Sequence, residues 1–230
     1  MRFKRLSLET CAEASGTVVV VDVIRAFTVA AHAFAAGARD ITLVDAIEEA
    51  LRLRERIPNS LALGEVSGLR PEGFDLGNSP SELANVDLSG RHLIQRTSAG
   101  TQGVVCSSER ADHLLACSLC CASATALYVK KLAPTTVTFI ITGIFAGSAE
   151  NDGDEDMACA DYIEALLRGE PLDTAPIIHR VRNSYVARKL FNSTMPEFPV
   201  SDIEFCVDVD RFDFAMRVRR ENGLLLMKPI

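Results

Sequence analysis

The chain has 230 residues, which at roughly 150 residues per domain is one large domain or two small ones. Its 24 Lys and Arg stand against 31 Asp and Glu, a formal charge of −7. The acidity lies in the first three quarters, and no basic stripe exists to neutralise a row of phosphates, which argues against binding to nucleic acid.

Short β-branched runs alternate with Ala/Leu/Glu-rich stretches of helical length. Thr17–Asp22 is too apolar for a half-exposed strand and reads as one buried on both faces. Arg25–Ala36 follows as a helix closed by Gly37, then Ile41–Val44 as a strand. Asp45 is placed to cap a helix over Ala46–Arg56, with Glu48 completing a capping box. Leu61–Glu65, His92–Arg96 and Thr136–Thr142 continue as strands. Helices are expected near Ser81–Asn85, Gly100–Cys106, Ala122–Leu132 and Glu155–Leu167. Ala175–Phe191 reads as one helix with a basic face, and Phe212–Arg219 pairs with Leu224–Lys228 across Glu221-Asn222-Gly223 as a hairpin. This alternation predicts an α/β fold, a three-layer α/β/α arrangement with a mostly parallel sheet and a C-terminal β-hairpin. The chain reads as one unit, with Pro134 and Gly169-Glu170-Pro171 as candidate joints; two sub-lobes would meet near 131–135.

The first residues are basic but have no apolar stretch behind them, so they do not read as a secretion signal. The longest apolar candidate, Ala26–Ala38, is interrupted by His32 and falls short of the roughly 18 residues a membrane span needs. Seven cysteines in mostly apolar surroundings suit buried thiols in a reducing cytoplasm better than a disulfide framework. Cys117-Ser-Leu-Cys120-Cys121 lacks a second Cys/His pair at zinc-ligand spacing.

Four segments carry candidate chemistry. Asp22 ends the first apolar strand, where open α/β sheets place their ligands, and Arg25 stands at the following helix start as an anion clamp. An N-cap Asp with a solvated Arg is the competing reading. The Gly/Pro-punctuated stretch from Gly64 to Pro80 is long for an unstructured connection; it offers Glu65 and Asp75 as hard oxygen ligands for Mg²⁺, and Asn78 and Ser79 with backbone N–H groups for an anion. The alternative is a surface loop whose glycines serve its turns. Arg96-Thr97-Ser98-Ala99-Gly100-Thr101 brings hydroxyls and a glycine to a helix start, as a phosphate cradle or as ordinary caps. The acidic run Glu150–Asp156 leads into an apolar helix, and its Glu155 and Asp156 either complement the helix dipole or bind a cation.

Taken together these segments resemble the 2-phosphosulfolactate phosphatase family, whose pattern runs Asp-Val-Leu-Arg-Ala-Thr, then Gly-Glu with Gly-Phe-Asp-Leu-Gly-Asn-Ser-Pro, then Thr-Thr-x-Asn-Gly-Thr, then Glu-Asp-x-x-Cys-Ala. This chain has Asp22-Val-Ile-Arg25-Ala26, Gly64-Glu65 with Gly73-Phe74-Asp75-Leu76-Gly77-Asn78-Ser79-Pro80, Arg96–Thr101, and Glu155-Asp156-Met157-Ala158-Cys159-Ala160. The resemblance implies a Mg²⁺-dependent phosphomonoesterase acting on (2R)-O-phospho-3-sulfolactate, on the route to coenzyme M. Catalytic roles fall to Asp22 and Arg25. Substrate contacts fall to Asn78, Ser79, Arg96, Thr97, Ser98, Gly100 and Thr101, and metal contacts to Glu65, Asp75, Glu155 and Asp156. The expected partner is a small anionic phosphate ester, with no nucleic acid and no membrane; a homo-oligomer is left open. Three positions depart from the family pattern: Phe27 for Thr, Ala99 for Asn, and Cys121 for Asn. They keep open a different 2-phospho-hydroxy acid as substrate, or an anion binder without turnover.

Overall fold

The computed structural model describes residues 1–144 and 153–230. In chain order the elements are β1 (Arg2–Ser7), β2 (Gly16–Val21), α1 (Ala26–Ala35), β3 (Asp40–Leu43), α2 (Ile47–Arg56), β4 (Ser60–Gly64), β5 (His92–Arg96), α3 (Gly100–Ser107), β6 (Ala111–Cys117), α4 (Ala122–Leu132), β7 (Thr136–Ile141), α5 (Asp154–Arg168), α6 (Ala175–Arg182), α7 (Tyr185–Phe191), α8 (Asp202–Cys206), β8 (Met216–Glu221) and β9 (Leu224–Pro229). The fold is α/β, and the nine strands form one sheet in the order β1-β7-β2-β6-β8-β9-β3-β5-β4.

Two parallel blocks make up most of that sheet. One is β1, β7, β2 and β6; the other is β3, β5 and β4. Thr17 through Val21 are buried without interruption, so both faces of β2 are covered, as an all-apolar strand requires. The C-terminal hairpin joins the blocks instead of flanking them. Its β8 runs antiparallel to β6 and its β9 antiparallel to β3. Three successive antiparallel ladders set the two blocks in opposite senses along the sheet. The junctions that follow β2 and β5 nevertheless meet, with Gly100 packed against Asp22 and Ala26.

The hairpin turn is the expected one, with Asn222 at φ 51° and Gly223 at φ 84°. Other boundaries move. Asp45 does not cap α2; Ala46 holds that position with no side-chain bond, and the Asp45 carbonyl instead accepts from Arg96 and Gln102. The expected single helix over Ala175–Phe191 is two, α6 and α7, because Ser184 leaves helical geometry at ψ 160° and its hydroxyl accepts from the Ala187 N–H. Cys11 and Cys106 form a disulfide, whereas free thiols were expected; Cys117, Cys120, Cys121, Cys159 and Cys206 are free and buried. Among the described residues no helix is long and apolar enough to cross a membrane.

Candidate active site

The first strand–helix junction supplies the central acid. Asp22 lies just past β2 and is buried; its Oδ1 accepts from the Ala26 N–H at 2.9 Å. Burial pushes its pKa up to about 6, and Glu65 adds repulsion, while the N–H groups of Ala26 and Gly100 and the Thr142 hydroxyl oppose the rise. Gly100, at the start of α3, packs directly on it: a Cβ there would stand 2.8 Å from Asp22 Oδ2 and 2.9 Å from the Ala26 Cβ. No larger residue fits that junction without displacing the carboxylate.

The second acid comes from the end of β4. Gly64 adopts φ 134°, and a Cβ there would lie 1.8 Å from the Arg96 carbonyl oxygen, so the close approach of β4 to β5 depends on the missing side chain. Glu65 then turns back toward the next junction. Its Oε1 accepts from the Ser98 N–H at 2.5 Å, and its Oε2 from the Ser98 hydroxyl at 3.0 Å and the Gly68 N–H at 2.6 Å.

The third and fourth acids open α5. Asp156 is fully used: Oδ1 accepts from the Val23 N–H, and Oδ2 from the Gly143 N–H and the Thr142 hydroxyl. Burial, with Glu155 and Asp22 nearby, raises its proton affinity well above the usual carboxylate range. Glu155 is also buried, and its Oε2 has no hydrogen-bond partner. Burial pushes its pKa up to about 7, with Asp22 and Asp154 adding repulsion and the Ser184 hydroxyl opposing it. Asp154, by contrast, faces outward in an ion pair with Arg180 at 2.6 Å. Glu150, Asn151 and Asp152, the start of the expected acidic run, lie outside the described residues.

Two adjoining cavities meet at Asp22. One, about 210 Å³, reaches Glu155, Asp156, Thr142 and Lys189. The other, about 150 Å³, reaches Arg25, Glu65, Asn78 and Lys189. Asn78 is buried with its Oδ1 unpartnered.

Several expected contacts go elsewhere. Arg25 follows a cis Ile24–Arg25 peptide and lines the second cavity, but its guanidinium pairs with buried Asp202 at 2.6 Å and donates to the Glu197 carbonyl. Ser79 donates to the same Asp202 at 2.8 Å. Thr97 and Thr101 close on each other: each hydroxyl accepts the other's backbone N–H, and the Thr101 hydroxyl donates to the Thr97 carbonyl, which leaves Thr101 no proton to offer a ligand, whereas the Thr97 O–H is not spent in these bonds. Arg96 donates to the Asp45 and Glu65 carbonyls. Asp75 is away from the cluster, gripped by Arg54 through two 2.6 Å bonds and by the Ala62 N–H; it fastens the loop after β4 back onto that strand. Of the three unusual positions, Phe27 and Cys121 are fully buried in the core, and only Ala99 lines the cavities.

Asp202 and Lys189 belong to the site and were not singled out from the sequence. Lys189 had a signal in the basic face of the expected helix over Ala175–Phe191. Asp202 had none, because its partner Arg25 is 177 residues away.

The donors left over suit a hard cation. Among the described residues no three His, Cys, Asp or Glu side chains already form a closed ligand set. Asp22 and Glu155 nevertheless put two buried carboxylates in one cavity, one with an orphaned oxygen and both with raised proton affinity. Mg²⁺, which keeps several waters and takes one or two protein carboxylates together with substrate phosphate, matches that arrangement.

A family model described as 2-phosphosulpholactate phosphatase matches residues 4–221. The chain is similar to a probable 2-phosphosulfolactate phosphatase of Bacillus subtilis, 37% identical over 205 residues that cover 89% of this chain and 87% of the relative. A protein of the same description from Thermus thermophilus is 34% identical, covering 73% of this chain and 70% of the relative. Another, from Carboxydothermus hydrogenoformans, is 32% identical over 92% and 90%.

Proposed function

On the premise that this chain belongs to the 2-phosphosulfolactate phosphatase family, a family of phosphoric monoester hydrolases, we propose that it hydrolyses (2R)-O-phospho-3-sulfolactate to 3-sulfolactate and phosphate with the help of Mg²⁺. The observation that carries this reading is the pair Asp22 and Glu155, buried together in one cavity with Glu155 Oε2 free of any partner. These two carboxylates would hold the ion, and when bound it offsets charge on the transferring phosphoryl group.

The chain's own groups have separate tasks. Glu65 and Asp156, each holding three donors, set the walls of the cleft and keep its junctions rigid. Asn78 offers its amide N–H to the substrate's carboxylate end, with its unpartnered Oδ1 left for a donor group. Arg25, neutralised by Asp202, anchors α8 against the loop carrying Asn78 and Ser79. Of the expected substrate contacts, Ser79 takes part in this anchor, Arg96 holds the Asp45 and Glu65 carbonyls, and Thr97 keeps a hydroxyl proton to offer the substrate.

A second substrate is favoured by one observation: Ala99 lines both cavities, so an amide that could read one end of the substrate is missing, and such contacts discriminate strongly. The test is phosphate release from phosphosulfolactate and from phospholactate, each with Mg²⁺ and with EDTA. Release from the sulfonate that EDTA abolishes is the expected result. A preference for phospholactate keeps the chemistry and moves the substrate, and metal-independent release removes Mg²⁺ from the reading.

A further inference from the structure

The cleft is rich in acids for an enzyme whose substrate would carry three acidic groups. Asp22, Glu65, Glu155 and Asp156 bound its two cavities, and the cations lining them are Arg25 and Lys189. Arg25 is already committed to Asp202. Lys189 is exposed and among the described residues has no acidic partner.

Lys189 is also held in place by its helix. Tyr185, Val186 and Lys189 all line the first cavity; spaced at i, i+1 and i+4, they share one face of α7, which therefore looks onto the carboxylates. Ser184 caps this helix and its hydroxyl also faces Glu155, so the helix that carries Lys189 is pinned beside one of the two carboxylates that would hold the metal.

We propose that Lys189 is a specificity-determining residue that receives the substrate's sulfonate. This rests on the reading above that the substrate is the phosphate ester of a sulfonated 2-hydroxy acid. The ammonium is a compact point charge with no planar fork, which suits a tetrahedral three-oxygen anion better than a carboxylate. The rim is where a strongly hydrated sulfonate loses least water. The phosphoryl group then lies inward against Asp22 and Glu155.

The test is calorimetric titration of 3-sulfolactate and of lactate, in Mg²⁺, into the wild type, K189Q and K189R. The wild type is expected to bind sulfolactate about tenfold more tightly than lactate, the worth of a charge-assisted contact. K189Q brings that ratio to about one, and K189R restores most of it. Steady-state assays of K189Q should then show KM for phosphosulfolactate raised about tenfold, with kcat changed less than threefold. An unchanged binding ratio in K189Q, no binding of sulfolactate by the wild type, or a fall in kcat at constant KM each overturns the proposal. Because the titration needs no turnover, a wild type that shows the ratio but releases no phosphate refutes the proposed reaction and leaves Lys189 as the sulfonate contact.

Discussion

At Asp22, burial and hydrogen bonding pull in opposite directions, and burial wins: the pKa settles near 6, with Glu155 near 7. Protons should therefore compete with Mg²⁺ for these two groups as pH drops through about 7 to 6, and a kcat/KM profile at subsaturating Mg²⁺ with an acid limb that moves to lower pH as Mg²⁺ is raised is the check. The same shifts act on stability with the opposite sense. Between about pH 4 and 7 the folded chain holds protons that the unfolded chain has released, so these two acids destabilise the metal-free fold increasingly as pH rises. Asp22→Asn removes one of them. In EDTA the variant should melt higher than the parent at pH 8, with the gap closing toward pH 4, while its phosphatase rate drops by about a thousandfold. A near-normal rate would take Asp22 out of the chemistry. Gly100→Ala puts a methyl group 2.8 Å from Asp22 Oδ2; it should cost about a hundredfold in kcat with an unchanged circular dichroism spectrum.

Among the elements, α8 acts through a single residue. Asp202 is fully buried and collects Arg25, Ser79 and Ser81, three groups from two distant stretches of chain. Asp202→Ala leaves Arg25 charged and unpaired in the interior, a loss of about 3–5 kcal/mol, measurable by urea unfolding. The double variant with Arg25→Met should recover part of it. Ser184→Ala removes the α7 cap and should cost about 1 kcal/mol. Apolar, β-branched runs such as β2 and β7 were legible in the sequence because strands buried on both faces carry little beyond Val, Ile, Phe and Thr. β6 was not. Its Ala111, Asp112 and His113 are not buried, its pairing to β8 covers only Leu114 to Ala116, and the remaining apolar stretch is short. The site followed the same rule. Asp22, Glu65, Glu155 and Asp156 sit at strand ends or helix starts and could be read locally, whereas the mutual capping of Thr97 with Thr101, the Asp75–Arg54 clasp and the Asp202 hub depend on which groups meet in space.

Across the whole molecule, the Cys11–Cys106 bridge spans 95 residues and encloses β2, β3, β4 and β5. A loop of that length confines the unfolded chain substantially, so reduction should lower stability by about 2–4 kcal/mol, seen as a lower Tm in dithiothreitol that Cys11→Ser reproduces under oxidising conditions. The strand order sets a different constraint, one of timing. β8 and β9 occupy the middle of the sheet but leave the ribosome after every other strand. Until they arrive, a nascent chain holds two half-sheets whose inner edges, β6 and β3, are open to any passing strand. Insertion of the hairpin is thus the step that commits the chain to its native state. A chain cut before Met216 would keep Asp22, Glu65, Glu155 and Asp156 and still be lost to aggregation, so its first symptom would be a collapse in soluble yield.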